Sequence, residues 1–336
     1  MKVAVIGFGH IGRRHSENIM NNPNMELVAI CDPYVDSEQV PFPVRLWKNY
    51  EEMVNHHSLD LIVVATPNHL HYEMVDFCLE SKVPVLAEKP LTLNTHEAKL
   101  IQIKQRETGT PLFVNYPLRF LDSIADLKAQ IECAVGNPRI LTFNVFWNRN
   151  EGYYGGSDWR GTVAKEGGPL FNEFVHHLNL IRYLFGDISV LGGEVFDFAH
   201  DYTEVEDSGM VVLKLKGGGL GTMTYTVACP NTSFDVDMTV IGDLGCAKLS
   251  GLFLNRVFID LEETCSEVIH DVNLEHFSAV LEAIRLNLEE GIEDDRLCYV
   301  DEASNDVSLI QSFYSRFKLT NSPKGIKQPI FLKETF

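Results

Sequence analysis

The stretch "VAVIGFGHIGRRH", residues 3–15, constrains the fold of this chain more than any other. It sets Gly7, Gly9 and Gly12 in G-x-G-x-x-G spacing, directly after a strand-like apolar run and at the opening of a helix-like one. Each glycine there has its own reason. Gly7 permits a tight turn, Gly9 lets the backbone approach a diphosphate, and Gly12 lets the helix pack close to the strand. Phe8, His10 and Ile11 share this loop, where N–H groups at a helix N-terminus hold phosphate charge. A glycine triad alone is weak evidence. Here a second strand, "MELVAICD", ends in Asp32, where an acid that binds ribose belongs. Together they read as a dinucleotide site. A carboxylate at 32 accepts from a ribose 2′-OH and repels a 2′-phosphate, which favours NAD over NADP. Arg13 and Arg14 lie inside the first helix and read as solvated or acid-paired groups.

The rhythm of the chain supports this reading. "KVAVI", "MELVAIC", "DLIVVAT", "VPVLA" and "PLFVN" are short and nearly all apolar, as strands covered on both faces must be. Helix-like segments separate them, which predicts a doubly wound parallel sheet, a Rossmann α/β domain over 1–118. From about residue 139 strand-like segments follow one another with turn residues between them. They predict an α+β domain with a large open, mainly antiparallel sheet over 119–320, closed by helices near 273–290 and 299–318. Residues 321–336 read as a tail. "GGGLG" at 217–221 joins two strand patterns with no helix after it, so it is a hairpin turn rather than a second phosphate loop. Tyr314 and Lys318 match the Y-x-x-x-K spacing of short-chain dehydrogenases, but on a late helix far past the sheet, and read as coincidence.

Composition excludes several classes of function. A net charge of −19 over 336 residues repels nucleic-acid phosphates. No apolar run approaches the roughly 20 residues that span a bilayer. Seven cysteines scattered singly, without a C-x-x-C pair, suit reduced thiols in a cytoplasm. Neither the His69/His71 nor the His176/His177 pair has a carboxylate at ligand spacing, so no metal is expected.

One helical pattern, "EGGPLFNEFVHHLNLIRYLFG" at 166–186, is apolar yet polar in the wrong places for a surface helix. At about 100° per residue, Asn172, His176, Asn179 and Tyr183 fall on one stripe, and Phe174, Leu178, Ile181 and Phe185 on another. Pro169 suits the first turn and Gly186 the stop. Such a helix has one face for packing and one that looks into a polar cavity. His177 points elsewhere and reads as structural.

"ATPNHLH" after the third strand and "AEKP" after the next, with the glycine fingerprint, resemble the Gfo/Idh/MocA oxidoreductase family over nearly the whole chain. The resemblance implies that Thr66, Pro67, Asn68 and His71 line the nicotinamide side of the cofactor. It places Glu88 and Lys89 where nicotinamide meets substrate. It also implies an acid and a histidine four residues apart on the polar helix. Asn172 and His176 match those positions, with Asn172 a departure, because an amide does not shuttle a proton. Proton transfer then falls on His176 or Lys89, with Asn172 orienting by hydrogen bonds. "WNRNEGYYGGSDWRG" ahead of that helix resembles UDP-N-acetylglucosaminuronate 3-dehydrogenases, although "GGPLFNEF" departs from their glycine-rich wording. It makes Arg149 and Arg160 candidates for pairing with a carboxylate or diphosphate, and Tyr153, Tyr154 and Trp159 stacking faces. The expectation is NAD-dependent oxidation of a secondary alcohol, at C3 of a sugar or sugar nucleotide, by a homodimer or homotetramer. An inositol or polyol dehydrogenase, a keto-sugar reductase and a non-catalytic NAD sensor are the alternatives.

Overall fold

Strands too apolar to leave either face in water pair in parallel and take helices on both sides. The computed structural model describes residues 1–261, 264–272 and 275–316. β1 (Lys2–Ile6), β2 (Glu26–Cys31), β3 (Arg45–Trp47), β4 (Leu61–Val64), β5 (Val85–Ala87) and β6 (Leu112–Val114) form a parallel sheet in the order β6-β5-β4-β1-β2-β3. Every residue of β4, β5 and β6 is buried. The helices between them are His10–Asn21, Tyr50–His56, His71–Glu80 and Thr95–Thr108, and the second and fourth start at asparagine caps. Asn49 and Asn94 each accept an N–H from the third residue of their helix, from Glu52 and Glu97. Gly109, at φ 65°, closes the last helix with an N–H to the Gln105 carbonyl.

Two compact units divide the chain, Met1–Pro117 with Glu275–Val307, and Leu118–Leu274 with the residues from Ser308 on. The segment 275–307 was expected in the second domain but belongs to the first unit. Cys298–Tyr299 adds an antiparallel strand to the free edge of β6. The helix His276–Glu290 packs on the first helix, with Phe277 edge-on to His15 at 5.8 Å and under the Arg14 guanidinium at 3.9 Å. The expected tail 321–336 and Lys318 lie outside the described residues.

In the second unit, β7 (Pro138–Phe146), β8 (Ile188–Phe196), β9 (Ser208–Leu215), β10 (Leu220–Thr226), β11 (Asp235–Gly242), β12 (Gly245–Ser250), β13 (Arg256–Leu261) and β14 (Thr264–Ile269) form an open sheet. Its order is β14-β13-β12-β11-β7-β10-β9-β8. All pairings are antiparallel except β7 with β10. Strict alternation makes one face core. Leu141, Phe143 and Val145 point in, beside Met223 and Tyr225 of β10 and Val236, Met238 and Val240 of β11. The glycine run at 217–219 makes the β9–β10 hairpin, with Gly217 and Gly218 at φ 90° and 102°.

The polar helix is broken. Pro169–Asn172 is one short helix and Val175–Phe185 another, with a turn at Glu173–Phe174. The N–H groups of both Glu173 and Phe174 converge on the Pro169 carbonyl, which ends the first ladder. The turn coincides with the residue whose carboxylate is engaged by Arg149 and Tyr153, described below. The apolar stripe packs as expected, with Phe174, Leu178, Ile181 and Phe185 all buried.

Phe143 is fully buried at the centre of the second unit's core face. Phe143→Ala is expected to cost about 3–5 kcal/mol, the range for emptying a phenylalanine site that collapses incompletely. Thr142→Ala, on the opposite face of the same strand, should stay within about 0.5 kcal/mol. Urea unfolding of the two variants checks this, and equal midpoints would contradict the inward register of β7.

Candidate active site

The glycine loop has the shape its chemistry needs. Gly7 takes φ 91°, and a Cβ there would lie 2.5 Å from the Ala65 carbonyl oxygen. A Cβ at Gly12 would lie 1.9 Å from the Gly7 oxygen, so the helix meets the strand as closely as backbones allow. Gly9 differs, since a Cβ there meets nothing within 4 Å. Its open side is where a diphosphate backbone would lie. The first ladder bond runs from Arg13 N–H to the Gly9 carbonyl, leaving the N–H groups of His10, Ile11 and Gly12 outside the helix ladder. These groups fit a dinucleotide. The Phe8 ring is buried, and its N–H is taken up by Asp32.

Asp32, expected from the sequence to bind ribose, holds this loop. One carboxylate oxygen accepts the Phe8 N–H at 2.8 Å, and the other accepts those of Tyr34 and Val35 at 2.8 and 3.2 Å. A carboxylate has about four lone-pair positions. These three bonds leave room for a hydroxyl on a partly exposed side chain. Arg13 is spent on the Gln39 carbonyl and the Phe8 ring.

Past β4 and β5 the structure sorts the remaining candidates. Thr66 and Pro67 are partly exposed and Asn68 is buried. His71 is fully buried and turned inward. Its two ring nitrogens lie 2.7 Å from the Pro90 carbonyl oxygen and 2.9 Å from that of Thr66, between the two loops that bear the other candidates, and the neutral ring can donate to only one of them. Burial holds its pKa below the ordinary imidazole value, opposed by those two carbonyl contacts. Glu88 is also turned inward. Its Oε1 lies 2.8 Å from His15 Nε2 and accepts the Asn115 amide at 2.6 Å. Burial alone would raise this carboxyl. The hydrogen bond and charge of His15, with Lys89 and Asn115, outweigh it and keep the group below its ordinary range. Lys89, the next residue, is half-buried just beyond the carboxyl end of β5, the side of a doubly wound sheet on which ligands bind.

The second unit gathers the other candidates around Asn172. The Arg149 fork reaches Glu173 through Nε (3.3 Å) and Nη2 (3.0 Å), and the Tyr153 hydroxyl donates to the same carboxylate at 2.6 Å. Arg149 is therefore met by a carboxylate of its own chain, where the sequence reading reserved it for a ligand. Asn172 donates to Glu166 Oε1 at 2.9 Å, and to the Tyr153 hydroxyl and Glu173 Oε1 at 3.3 Å. Arg160 lies over the Tyr153 ring at 4.3 Å and beside Trp159 at 5.3 Å, with one N–H on the Tyr153 carbonyl. Tyr154 is buried against His200 and Tyr202. The polar stripe of the helix divides. Asn172 faces the acids, whereas Asn179 accepts from the buried Arg119 at 2.8 Å, and Tyr183 lies under Arg119 and Lys128. His176, between them, is half-buried. His177 is edge-on to Phe143 and Trp147 at 5.2 and 5.3 Å, and burial pushes its pKa down to about 3, so it is neutral core. Tyr314, half of the coincidental pair, is buried with its hydroxyl on Glu206.

Comparison with known proteins agrees with both units. Residues 1–116 match the model of an oxidoreductase family with an NAD-binding Rossmann fold, and residues 126–248 match the GFO/IDH/MocA C-terminal domain. The chain belongs to the Gfo/Idh/MocA oxidoreductase family. Among relatives of this family member is a scyllo-inositol 2-dehydrogenase (NAD(+)) of Bacillus subtilis, 27% identical over 77% of this chain and 76% of that one. A myo-inositol 2-dehydrogenase of Thermotoga maritima is 27% identical over 66% and 67%. In fold it is similar to the WlbA dehydrogenase of Bordetella pertussis, solved with NADH and UDP-GlcNAcA. That likeness has a TM-score of 0.85 at 23% identity and covers 94% of this chain and 95% of that one. The first unit of this Gfo/Idh/MocA protein is thus an NAD-binding domain.

His15, Asn115 and Glu166 of the Glu88 and Asn172 networks escaped the sequence reading, and Glu173, visible in the polar helix, was given no role. Their partners lie far along the chain or across a loop, up to 100 residues away for Asn115 and His15. The one available signal was Glu173 itself, an acid inside an apolar helical run. Among the described residues no group of three or more His, Cys, Asp or Glu side chains is placed to hold a metal ion.

Proposed function

We propose that this protein oxidises a secondary alcohol of a sugar or sugar nucleotide, at C3, with NAD. The observation that carries the reading is the set of hydrogen-bonding and aromatic groups around Asn172, namely Tyr153, Trp159, Arg160 and two carboxylates. Carboxylates and amides accept and donate to hydroxyls, and aromatic faces stack on sugar rings or bases. The nicotinamide, when bound, supplies the hydride acceptor. The protein must then remove the hydroxyl proton as the C–H bond breaks. His176 takes that proton, imidazole being the side chain suited to general-base work near neutral pH. Lys89 stabilises the developing alkoxide as a charged donor, and Asn172 orients the substrate. A neutral polyol is the second reading, favoured because Glu173 already neutralises Arg149 and leaves less cationic capacity for an anionic substrate. The free thiols of all seven cysteines fit a cytoplasmic setting.

His176→Ala and Lys89→Ala should each cut turnover by about 10²–10⁴-fold while NAD still binds. The assay is NADH formation from a panel of nucleotide sugars, hexoses and inositols. Near-normal turnover in folded His176→Ala would return that helix to the core, and NAD binding without turnover on any member would favour a sensor.

Asp32 supports a preference for NAD over NADP, which Asp32→Ala should narrow. Calorimetric titration decides this, since tighter NADP binding to the unmodified protein would refute the assignment.

The outer face of the open sheet carries Ile140, Met210, Leu220 and Ile241, each more than two-fifths exposed. It supports association as a homodimer or homotetramer through residues of roughly 190–260. Light scattering at micromolar concentration tests this, and a monomer would count against it.

A further inference from the structure

Glu166 is almost completely buried, at 1% exposure, and neither takes nor gives a proton in the reaction described above. It nevertheless touches that machinery. Its Oε2 accepts the Gly161 N–H at 2.8 Å, and its Oε1 accepts the Asn172 amide at 2.9 Å. The Asn172 amide has two hydrogens and faces three oxygens, those of Glu166, Tyr153 and Glu173. With Glu166 ionised, that arrangement turns the amide nitrogen toward the acids. Of the two carboxylates, Glu173 is compensated by the Arg149 fork, whereas the Gly161 N–H and the Asn172 amide are neutral donors. Around Glu166 lie the acids Glu173 and Glu206, the Tyr154 phenol and the Arg160 cation.

We propose that Glu166 is a positioning residue for hydride transfer: its ionisation fixes the Asn172 amide between two carboxylates, and its protonation loosens that hold. The proposal rests on the reading of Asn172 and His176 as parts of the reaction site. The physical reason is the strength of a charge-assisted bond. An N–H donated to a carboxylate is about twice as strong as one donated to a neutral acid. The group also titrates where this matters. Burial, then the charges of Glu173 and Glu206, push the Glu166 carboxyl up to about 8, against the Gly161 hydrogen bond and Arg160. It is therefore largely protonated at neutral pH and becomes charged above it. A carboxyl raised on folding stabilises the protein at low pH, and that contribution is lost as pH rises through the folded value. Thermal stability should therefore fall between the ordinary carboxyl range and about pH 8, while turnover rises toward the upper end of the same window.

The test combines a probe of the amide with a probe of turnover. In protein carrying isotopically labelled asparagine, the side-chain amide resonance of Asn172, assigned by its loss in Asn172→Ala, is followed by NMR across pH. It should shift with a midpoint near 8 in the unmodified protein and stay still in Glu166→Gln. With whichever alcohol of the panel is oxidised, the step near pH 8 in kcat/KM should vanish in Glu166→Gln. Glu166→Asp, which keeps an ionisable group, should retain a step at a displaced pH. NAD affinity should be the same in all three. An amide that does not titrate overturns the proposal. So does an amide that titrates while Glu166→Gln keeps the parent pH profile, because the residue is then structural only. Absence of turnover on every alcohol would instead refute the function proposed above, and the amide titration would still decide whether Glu166 governs Asn172.

Discussion

A carboxylate taken out of water must be met by donors, and that requirement fixes how distant segments of this chain come together. Glu88 draws His15 from the first helix and Asn115 from beyond β6 to the end of β5. Glu173 draws Arg149 and Tyr153 to the turn between two helices. Glu206 collects the hydroxyls of Tyr225 and Tyr314, and Asp207 the backbone N–H groups of Phe198, Ala199 and His200. Apolar packing alone tolerates small slips of register. A buried acid with two or three fixed donors does not, so these groups set the positions of the loops that carry the candidate chemistry.

The same economy explains a division of labour among residues that looked equivalent in the sequence. His71 and Glu88 stand beside solvent-accessible neighbours in motifs of the family, yet both turn inward and hold backbone or buried side chains. The partly exposed side chains of these motifs are those of Lys89, Thr66 and Pro67. In the second unit the Arg149 fork is closed by Glu173, whereas Arg160 lies against two aromatic rings. Two arginines eleven positions apart thus have different chemistry, one structural and one still presenting its flat cation beside stacking faces.

Much of the fold was legible because it rests on local chemistry. β1, β2, β4, β5 and β6 announced themselves as apolar runs, the helices by their periodicity, and Gly7 and Gly12 by contacts no other residue could make. β3, three residues long, has too little pattern to be seen. The break at Glu173–Phe174 was illegible because the sequence keeps its helical period across it, and it coincides with a tertiary ion pair. Glu166 was missed, and Glu173 left without a role, for a related reason. An acid at the start or in the middle of an apolar stretch reads as solvated until its partners are known, and those come from a different loop. The return of residues 275–307 to the first unit left no mark at all, since an amphipathic helix does not say which core it will cover.

That return makes the NAD-binding unit discontinuous along the chain. A protein cut after Pro117 would keep the glycine loop, Asp32 and all six parallel strands. It would lack the strand that seals the β6 edge and the helix whose Phe277 covers His15 and Arg14. An unsealed edge is a template for pairing with another chain. On the ribosome the first unit therefore stays incomplete until Val307 has emerged. Grafting this domain onto another protein would mean carrying the late segment with it.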